Sequence, residues 1–165
     1  MKIYTDGSCR GNGKTESEGG YGVVAVNNDE TILFHISNGY KKQTTNNEME
    51  LMGILTAMEL YGDYHTFPDG SVPIVYTDSA YCYNTLTNWM YSWANNGWTR
   101  GPKHEPVKNL EIIKRFYELI TDKGYKIELQ KVKGHNNIKG NELADKIAIG
   151  EITTFDKAKE FWEGN

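Results

Sequence analysis

Two short segments of this chain end in the same three residues. Tyr4-Thr5-Asp6 stands near the start and Tyr76-Thr77-Asp78 near the middle, each in an apolar, β-branched run that favours a strand. If the two strands lie side by side in one sheet, both carboxylates reach the same edge. Two such carboxylates repel each other unless a proton or a cation lies between them. The pair therefore predicts a divalent-metal site, although a single Asp at a strand end is more often a turn former or a helix cap.

Length and composition narrow the class of protein. A chain of 165 residues, 38% hydrophobic and 24% charged, fits one soluble globular domain. No apolar run approaches the roughly 20 residues that cross a bilayer, and Asp6 interrupts any leader-like start. Cys9 and Cys82 are too few for a disulfide framework and lack metal-ligand spacing. We therefore expect a cytoplasmic protein with no membrane contact.

The formal net charge of −4 argues against a broadly basic nucleic-acid-binding protein. The total is misleading if four carboxylates belong to a metal site, because the remaining 18 acidic residues then balance 18 basic ones. Local charge would in that case matter more than the sum.

Hydrophobic periodicity predicts an α/β fold. The pattern indicates a mixed five-stranded sheet, three antiparallel strands and then parallel strands, with helices on both faces. The predicted strands are residues 2–8, 20–27, 31–38, 73–78 and 125–132, and the predicted helices are 44–61, 80–95, 108–122 and 141–149. We expect residues 1–150 to form the catalytic domain, and 151–165 to be a C-terminal segment that docks as a short helix or frays.

The first long helix offers two further acids. Leu51 and Ile54 begin its apolar stripe, with Glu50 on one flank and Glu48 on the other. Periodicity does not choose between the two, and either would also suit a solvated helix face or the first turn. Thr44 or Thr45 is expected to cap this helix.

The last predicted helix carries Asp145 beside apolar residues, where it could simply complement the positive helix end. Ten residues earlier, His135 lies in a polar loop between Gly134 and Gly140. A histidine there can exchange a proton near neutral pH, although surface histidines without function are equally common. Acids without partnering His or Cys ligands select hard cations such as Mg²⁺ or Mn²⁺.

Five ordered blocks resemble the type 1 ribonuclease H family over nearly the whole chain. They are residues 4–9, 19–22, 45–52, 76–79, and 132–135 followed by 141–145. The resemblance implies that a monomer hydrolyses the RNA strand of an RNA–DNA hybrid with two Mg²⁺ ions, which Mn²⁺ could replace, leaving 3′-hydroxyl and 5′-phosphate ends. The catalytic residues it implies are the metal ligands Asp6, Glu50, Asp78 and Asp145, and His135 for proton transfer or product release.

The same resemblance implies a set of substrate contacts. These residues are Cys9, Asn12, Thr45, Asn46, Asn47, Ser79, Trp89 and Lys108. Asn12, Asn47 and the backbone near Cys9 match family contacts to 2′-hydroxyl groups. Thr45, Asn46 and Ser79 match contacts to the strand backbones, and Trp89 and Lys108 match contacts to the DNA strand.

Residues 89–109 resemble the protruding handle of many bacterial members of the family, although Glu105 makes this one less basic. For Trp93, core packing is the better interpretation. The loops 12–19 and 62–72 are longer than is usual in the family, and neither removes a predicted catalytic acid. Two other functions stay open on sequence grounds: a hybrid-binding module without catalysis, and a related nuclease or strand-transfer enzyme acting on DNA.

Overall fold

The computed structural model describes residues 1–133 and 138–164. The strands of its main sheet are β1 (Lys2–Arg10), β2 (Glu18–Val26), β3 (Leu33–Lys42), β4 (Ile74–Thr77) and β7 (Glu128–Lys131), while β5 (Thr99–Arg100) and β6 (Glu105–Pro106) form a separate small ribbon. Across the main sheet the strand order is β3-β2-β1-β4-β7. The first three pair antiparallel, whereas β4 is parallel to β1 and to β7. The predicted α/β class and mixed sheet are confirmed.

Helices fill the intervals between and after these strands. They are α1 (Asn46–Tyr61), α2 (Ala80–Asn84), a π-helical turn (Thr85–Trp89), α3 (Met90–Asn95), α4 (Leu110–Thr121), α5 (Lys139–Ala148) and α6 (Phe155–Gly164). None of the helices in the described part of the chain is both long and apolar enough to cross a membrane. Residues 80–95 are helical throughout, as predicted, but a wider turn separates α2 from α3.

Two elements are shorter or later than the sequence pattern predicts. Strand β7 covers Glu128–Lys131 rather than residues 125–132, because the chain before it is held by a turn that closes on Gly62 and Leu119. Strand β3 begins at Leu33 because the Asn27 side chain accepts the Ile32 backbone N–H and prolongs the turn. A small ribbon of β5 (Thr99–Arg100) and β6 (Glu105–Pro106) was not predicted, since two-residue strands have no readable period.

Helices cover the central strands of the sheet on both faces, whereas the edge strands β3 and β7 are largely exposed. On one side α1 packs over β1 and β2, and helices α2–α4 pack in turn on α1. On the other side α5 and α6 cover the sheet through a second cluster that includes Tyr4, Leu143 and Trp162. Strand β1 therefore lies at the centre of the molecule, with a helix on each face.

Close backbone approach ties the helices to β1 and β2. A Cβ atom added at Gly7 would lie 2.4 Å from the Glu50 backbone nitrogen, and one at Gly22 would lie 2.4 Å from the Ala144 carbonyl oxygen. Neither helix could sit so close over a larger residue. These contacts bring Glu50 of α1 and the α5 segment before Asp145 toward the same part of the sheet.

Candidate metal centre

Parallel pairing brings the two Tyr-Thr-Asp segments side by side. Tyr4 of β1 pairs with Tyr76 of β4, and their rings stack with centroids 4.8 Å apart. The same register continued for two residues sets Asp6 beside Asp78, which directly follows the last residue of β4. The expectation drawn from the repeated segment is therefore met by the geometry of the sheet.

Three acids converge at this edge. One carboxylate oxygen from each of Asp6, Glu50 and Asp78 lies within 4.8 Å of the others. Asp6 and Glu50 are buried, and Asp78 is half-buried. Strand β1, helix α1 and the turn after β4 each contribute one acid, so that residues far apart in sequence form one compact carboxylate group.

A single backbone N–H helps to hold two of these acids. The Gly7 N–H donates to Asp6 Oδ1 and to Glu50 Oε1, both at 3.0 Å. The other oxygen of Glu50, Oε2, is buried and has no hydrogen-bond partner among the described residues. A buried carboxylate oxygen without a donor is costly, so this oxygen is chemically suited to bind a cation or a proton.

Glu48 has a different environment from Glu50. Its Oε2 pairs with Lys41 Nζ at 2.8 Å, and its Oε1 accepts a hydrogen bond from Thr44 Oγ1 at 2.5 Å. Both oxygens are thus satisfied within the protein, away from the other acids. Periodicity did not distinguish Glu48 from Glu50, and the structure shows that Glu50 is the one that joins the cluster.

Asp145 stands at the border of the group. It is exposed on α5 and does not belong to the set of carboxylates within 4.8 Å. Its negative charge nevertheless helps to raise the pKa of Asp6, so it lies within electrostatic reach. His135 lies outside the described residues.

The electrostatics of the cluster disfavour ionisation when no cation is bound. Burial is the main cause that raises the pKa of Asp6 to about 7, and the Asp78 and Asp145 charges add to it. The Glu50 pKa is raised further, first by burial and then by the Asp6 charge. In contrast, the hydrogen bonds from Lys41 and Thr44 lower the pKa of Glu48 despite partial burial.

These shifts predict how the metal-free protein responds to pH. A carboxyl group whose pKa is higher in the folded than in the unfolded state favours folding most below its unfolded pKa of about 4. That contribution to stability is lost as the pH rises to the pKa of the folded state. In chelator, we therefore expect the free energy of unfolding to fall between about pH 4 and pH 7 as Asp6 titrates, and to fall further above pH 7 because the pKa of Glu50 is raised to about 10. Urea denaturation across that range measures it. Asp6→Asn should flatten the slope, whereas Glu48→Gln, with its opposite pKa shift, should not; a slope that Asp6→Asn leaves unchanged would contradict the assignment.

Several predicted substrate contacts lie around the start of α1. The Thr45 side chain accepts the Glu48 N–H and caps the helix, which decides between Thr44 and Thr45. Asn12 Oδ1 accepts the exposed Asn46 N–H at 2.7 Å, which fastens the long loop to the helix. Cys9 Sγ lies 3.4 Å from the Thr44 carbonyl oxygen, and Asn47 is exposed on the first turn.

A polar cavity of about 400 Å³ opens beside these residues. Lys14, Gln43 and Asn109 line it together with Thr45. Sequence reasoning missed these three. Asn109 has a left-handed backbone with φ of 59°, a conformation in which Asn is favoured, but nothing in the local pattern indicates that it faces the loop after β1.

The remaining candidates lie elsewhere. Ser79 follows Asp78 and caps α2 by accepting the Cys82 N–H. Trp89 is 41% exposed and borders a groove of about 600 Å³ with Trp93, Arg100 and Lys103, whereas Trp93 itself packs against the core as predicted. Lys108 is exposed at the end of the handle.

Comparison with known proteins gives a consistent result. The sequence model of the RNase H family matches residues 1–152. The chain is 37% identical over 147 residues to the ribonuclease H of Polaromonas sp., covering 88% of this chain and 84% of that protein. It is 33% identical to the ribonuclease H of Jannaschia sp., covering 99% and 98% of the two chains.

A solved structure with the same fold is that of LC9-RNase H1, described as a type 1 RNase H with the type 2 active-site motif. It superposes with a TM-score of 0.70 at 28% identity, covering 90% of this chain and 69% of that one. Fold and sequence therefore lead to the same family.

Proposed function

Because the chain belongs to the ribonuclease H family, and is thus a nuclease for the RNA strand of RNA–DNA hybrids, we propose that it works with two Mg²⁺ ions. Mn²⁺ is the expected substitute. The products are a 3′-hydroxyl and a 5′-phosphate end.

The observation that carries this proposal is the cluster of Asp6, Glu50 and Asp78 within 4.8 Å. Among the described residues, no Lys, Arg or His forms an ion pair with any of the three acids. When these carboxyls ionise, no basic side chain of the described residues balances their negative charge, so a bound cation would favour the ionised form. All-oxygen ligands suit hard divalent cations, and Glu50 Oε2, which has no hydrogen-bond partner, is an available ligand atom.

Asp6, Glu50 and Asp78 would hold the cations, and Asp145 would complete the site from α5. Bound there, the cations supply activation of the attacking water and stabilisation of the leaving oxygen at the phosphodiester. The protein contributes a fixed position for each carboxylate, and the Gly7 N–H orients two of them before substrate arrives. His135 is proposed to exchange a proton with the product or the attacking water from its loop.

The start of α1 is the proposed contact for the RNA strand. Asn12, Asn47 and the backbone at Cys9 would meet successive 2′-hydroxyl groups across the minor groove, which distinguish RNA from DNA. Thr45 and Asn46 add a helix N-terminus suited to a phosphate. Ser79, directly after Asp78, is placed to contact the backbone near the reacting phosphate.

The DNA strand is proposed to follow the handle, where Trp89 offers an aromatic face and Lys108 a positive charge. Arg100 is 3.7 Å from Glu105, which offsets part of the positive charge of the handle. We expect modest hybrid affinity that decreases with added salt.

We propose that the chain acts as a monomer in the cytoplasm. Cys9 and Cys82 are both free thiols, as a reducing compartment would keep them.

The test is one cleavage assay on four substrates. Hybrid, single-stranded RNA, duplex RNA and duplex DNA are each incubated with Mg²⁺, Mn²⁺ or chelator. We expect cleavage of the RNA strand of the hybrid alone, with either metal and none in chelator, and ligatable 3′-hydroxyl and 5′-phosphate ends. Binding of hybrid without cleavage would indicate a binding module, and cutting of duplex DNA a different nuclease; each result would overturn the proposal.

A further inference from the structure

Helix α6 lies beyond the part of the chain that the family model matches, which ends at residue 152. It packs on β3 and on α5, the helix that carries Asp145, and its Trp162 shares a buried cluster with Tyr4 of β1, the strand that carries Asp6. We infer that Trp162 of α6 is a positioning residue that sets the spacing between Asp6 and Asp145 and so the affinity of the site for its cation. This inference rests on the proposed function and deepens it.

One side of Trp162 reaches the strand with Asp6. The indole is 2% exposed, and its Nε1 donates to the Glu30 carbonyl oxygen at 3.1 Å. The Glu30 carboxylate in turn accepts a hydrogen bond from the Tyr4 hydroxyl. Tyr4 precedes Asp6 by two residues and stacks on Tyr76, which precedes Asp78 by two. Trp162 is thus connected through Glu30 to the strand pair that presents two of the acids.

The other side of Trp162 holds the start of α5. Lys139, the first residue of α5, donates from Nζ to the Trp162 carbonyl oxygen at 2.7 Å. The same ammonium lies 4.0 Å from the centre of the indole ring, within the range of a cation–π contact. Further along, Ala158 of α6 is fully buried in one cluster with Leu143 and Ala144, the residues immediately before Asp145.

This bracing matters because Asp145 has few constraints of its own. Its side chain is exposed and lies outside the compact group of three carboxylates, so its position follows that of α5. On the sheet side, α5 is seated on Gly22 through the Ala144 carbonyl oxygen. Gly140 at the start of α5 also lies against the Tyr4 ring, and the Ala148 carbonyl oxygen at its end lies close to Gly20, so the sheet holds one face of the helix along its length. Helix α6 adds a contact on the outer side of α5. Loss of a partner that hydrogen-bonds directly to a metal ligand typically weakens a site by roughly 10–100-fold, and Trp162, which acts through intervening residues, should have an effect no larger than the lower end of that range.

The test measures cation binding without substrate. Calorimetric titration with Mg²⁺ is carried out on the full chain and on Trp162→Ala, Asp145→Asn and the double variant. We expect Trp162→Ala to weaken Mg²⁺ binding by roughly 10-fold. In the Asp145→Asn background the same change should cost less than about 2-fold, because the spacing between Asp6 and position 145 matters less once the carboxylate at 145 has gone. Additive effects would overturn the inference.

Two further variants separate positioning from stability. Leu119→Ala removes an equally buried side chain from the opposite core cluster, and should lower stability while leaving Mg²⁺ affinity unchanged. Lys139→Met keeps the length of the side chain but removes the ammonium that contacts Trp162. It should also weaken Mg²⁺ binding, and it provides a test even if Trp162→Ala does not fold. An equal loss of affinity in Leu119→Ala, or none in Lys139→Met, would contradict a positioning role. A wild-type chain that neither binds Mg²⁺ nor cleaves hybrid would instead refute the proposed function.

Discussion

Asp6→Asn is expected to abolish cleavage of the hybrid while the chain stays folded. Asp6 lies on the central strand and contributes a carboxylate to the cluster with Glu50 and Asp78. Asparagine has nearly the same shape but no charge, so the affinity for a divalent cation should fall sharply. The loss should exceed the roughly 10–100-fold that removal of an outer partner costs. Asp78→Asn should behave in the same way.

The measurement is single-turnover cleavage of a labelled hybrid by purified variants, with circular dichroism as the check of folding. Glu48→Gln is the matched control, because it neutralises an acid on α1, the helix that carries Glu50, and both oxygens of Glu48 are satisfied by Lys41 and Thr44. In chelator at pH 8, Asp6→Asn should be at least as stable as the wild type, since one buried repulsive charge has gone. Ready turnover by Asp6→Asn would count against the whole assignment.

Gly7→Ala is expected to damage stability and activity together. The added Cβ would lie 2.4 Å from the Glu50 nitrogen and 2.5 Å from the Met49 carbonyl carbon, both backbone atoms that cannot rotate away. Helix α1 would have to move off β1, at a cost at or above the roughly 1–3 kcal/mol typical of overpacking. The same movement would separate Glu50 from Asp6 and from the Gly7 N–H that binds both.

Gly53→Ala provides the control at the same helix–strand interface. Its added Cβ would meet the Thr5 Cβ at 3.5 Å, an ordinary contact, and alanine favours a helix interior by up to about 1 kcal/mol over glycine. Urea denaturation should therefore show Gly7→Ala strongly destabilised and Gly53→Ala unchanged or more stable, with hybrid cleavage following the same order. Wild-type stability and activity in Gly7→Ala would show that the helix does not depend on this close approach.

Much of the site could be predicted because its signals are local. The Tyr-Thr-Asp repeat predicts two parallel neighbours with acids at one edge, and pairing of Tyr4 with Tyr76 confirms that placement. The apolar stripe of α1 predicts the helix but not which acid joins the cluster. Glu48 is kept out of the cluster by Lys41 of strand β3, which forms an ion pair with it.

Other features depend on contacts that no local pattern contains. The role of Gly7 arises from the approach of α1, and that of Asn12 from the exposed Asn46 N–H. The docking of α6 depends on Trp162 reaching Glu30, 132 residues away in sequence. Helical spacing in the C-terminal segment predicts a helix, but whether it packs or frays is decided by these distant partners.

The most direct measurement of the central claim is anomalous diffraction from crystals of the chain grown with Mn²⁺. We expect anomalous peaks for Mn²⁺ ions within coordination distance of carboxylate oxygens of Asp6, Glu50 and Asp78, and no peak at this position in Asp6→Asn. Mn²⁺ bound elsewhere, with the three carboxylates left without an ion, would contradict it.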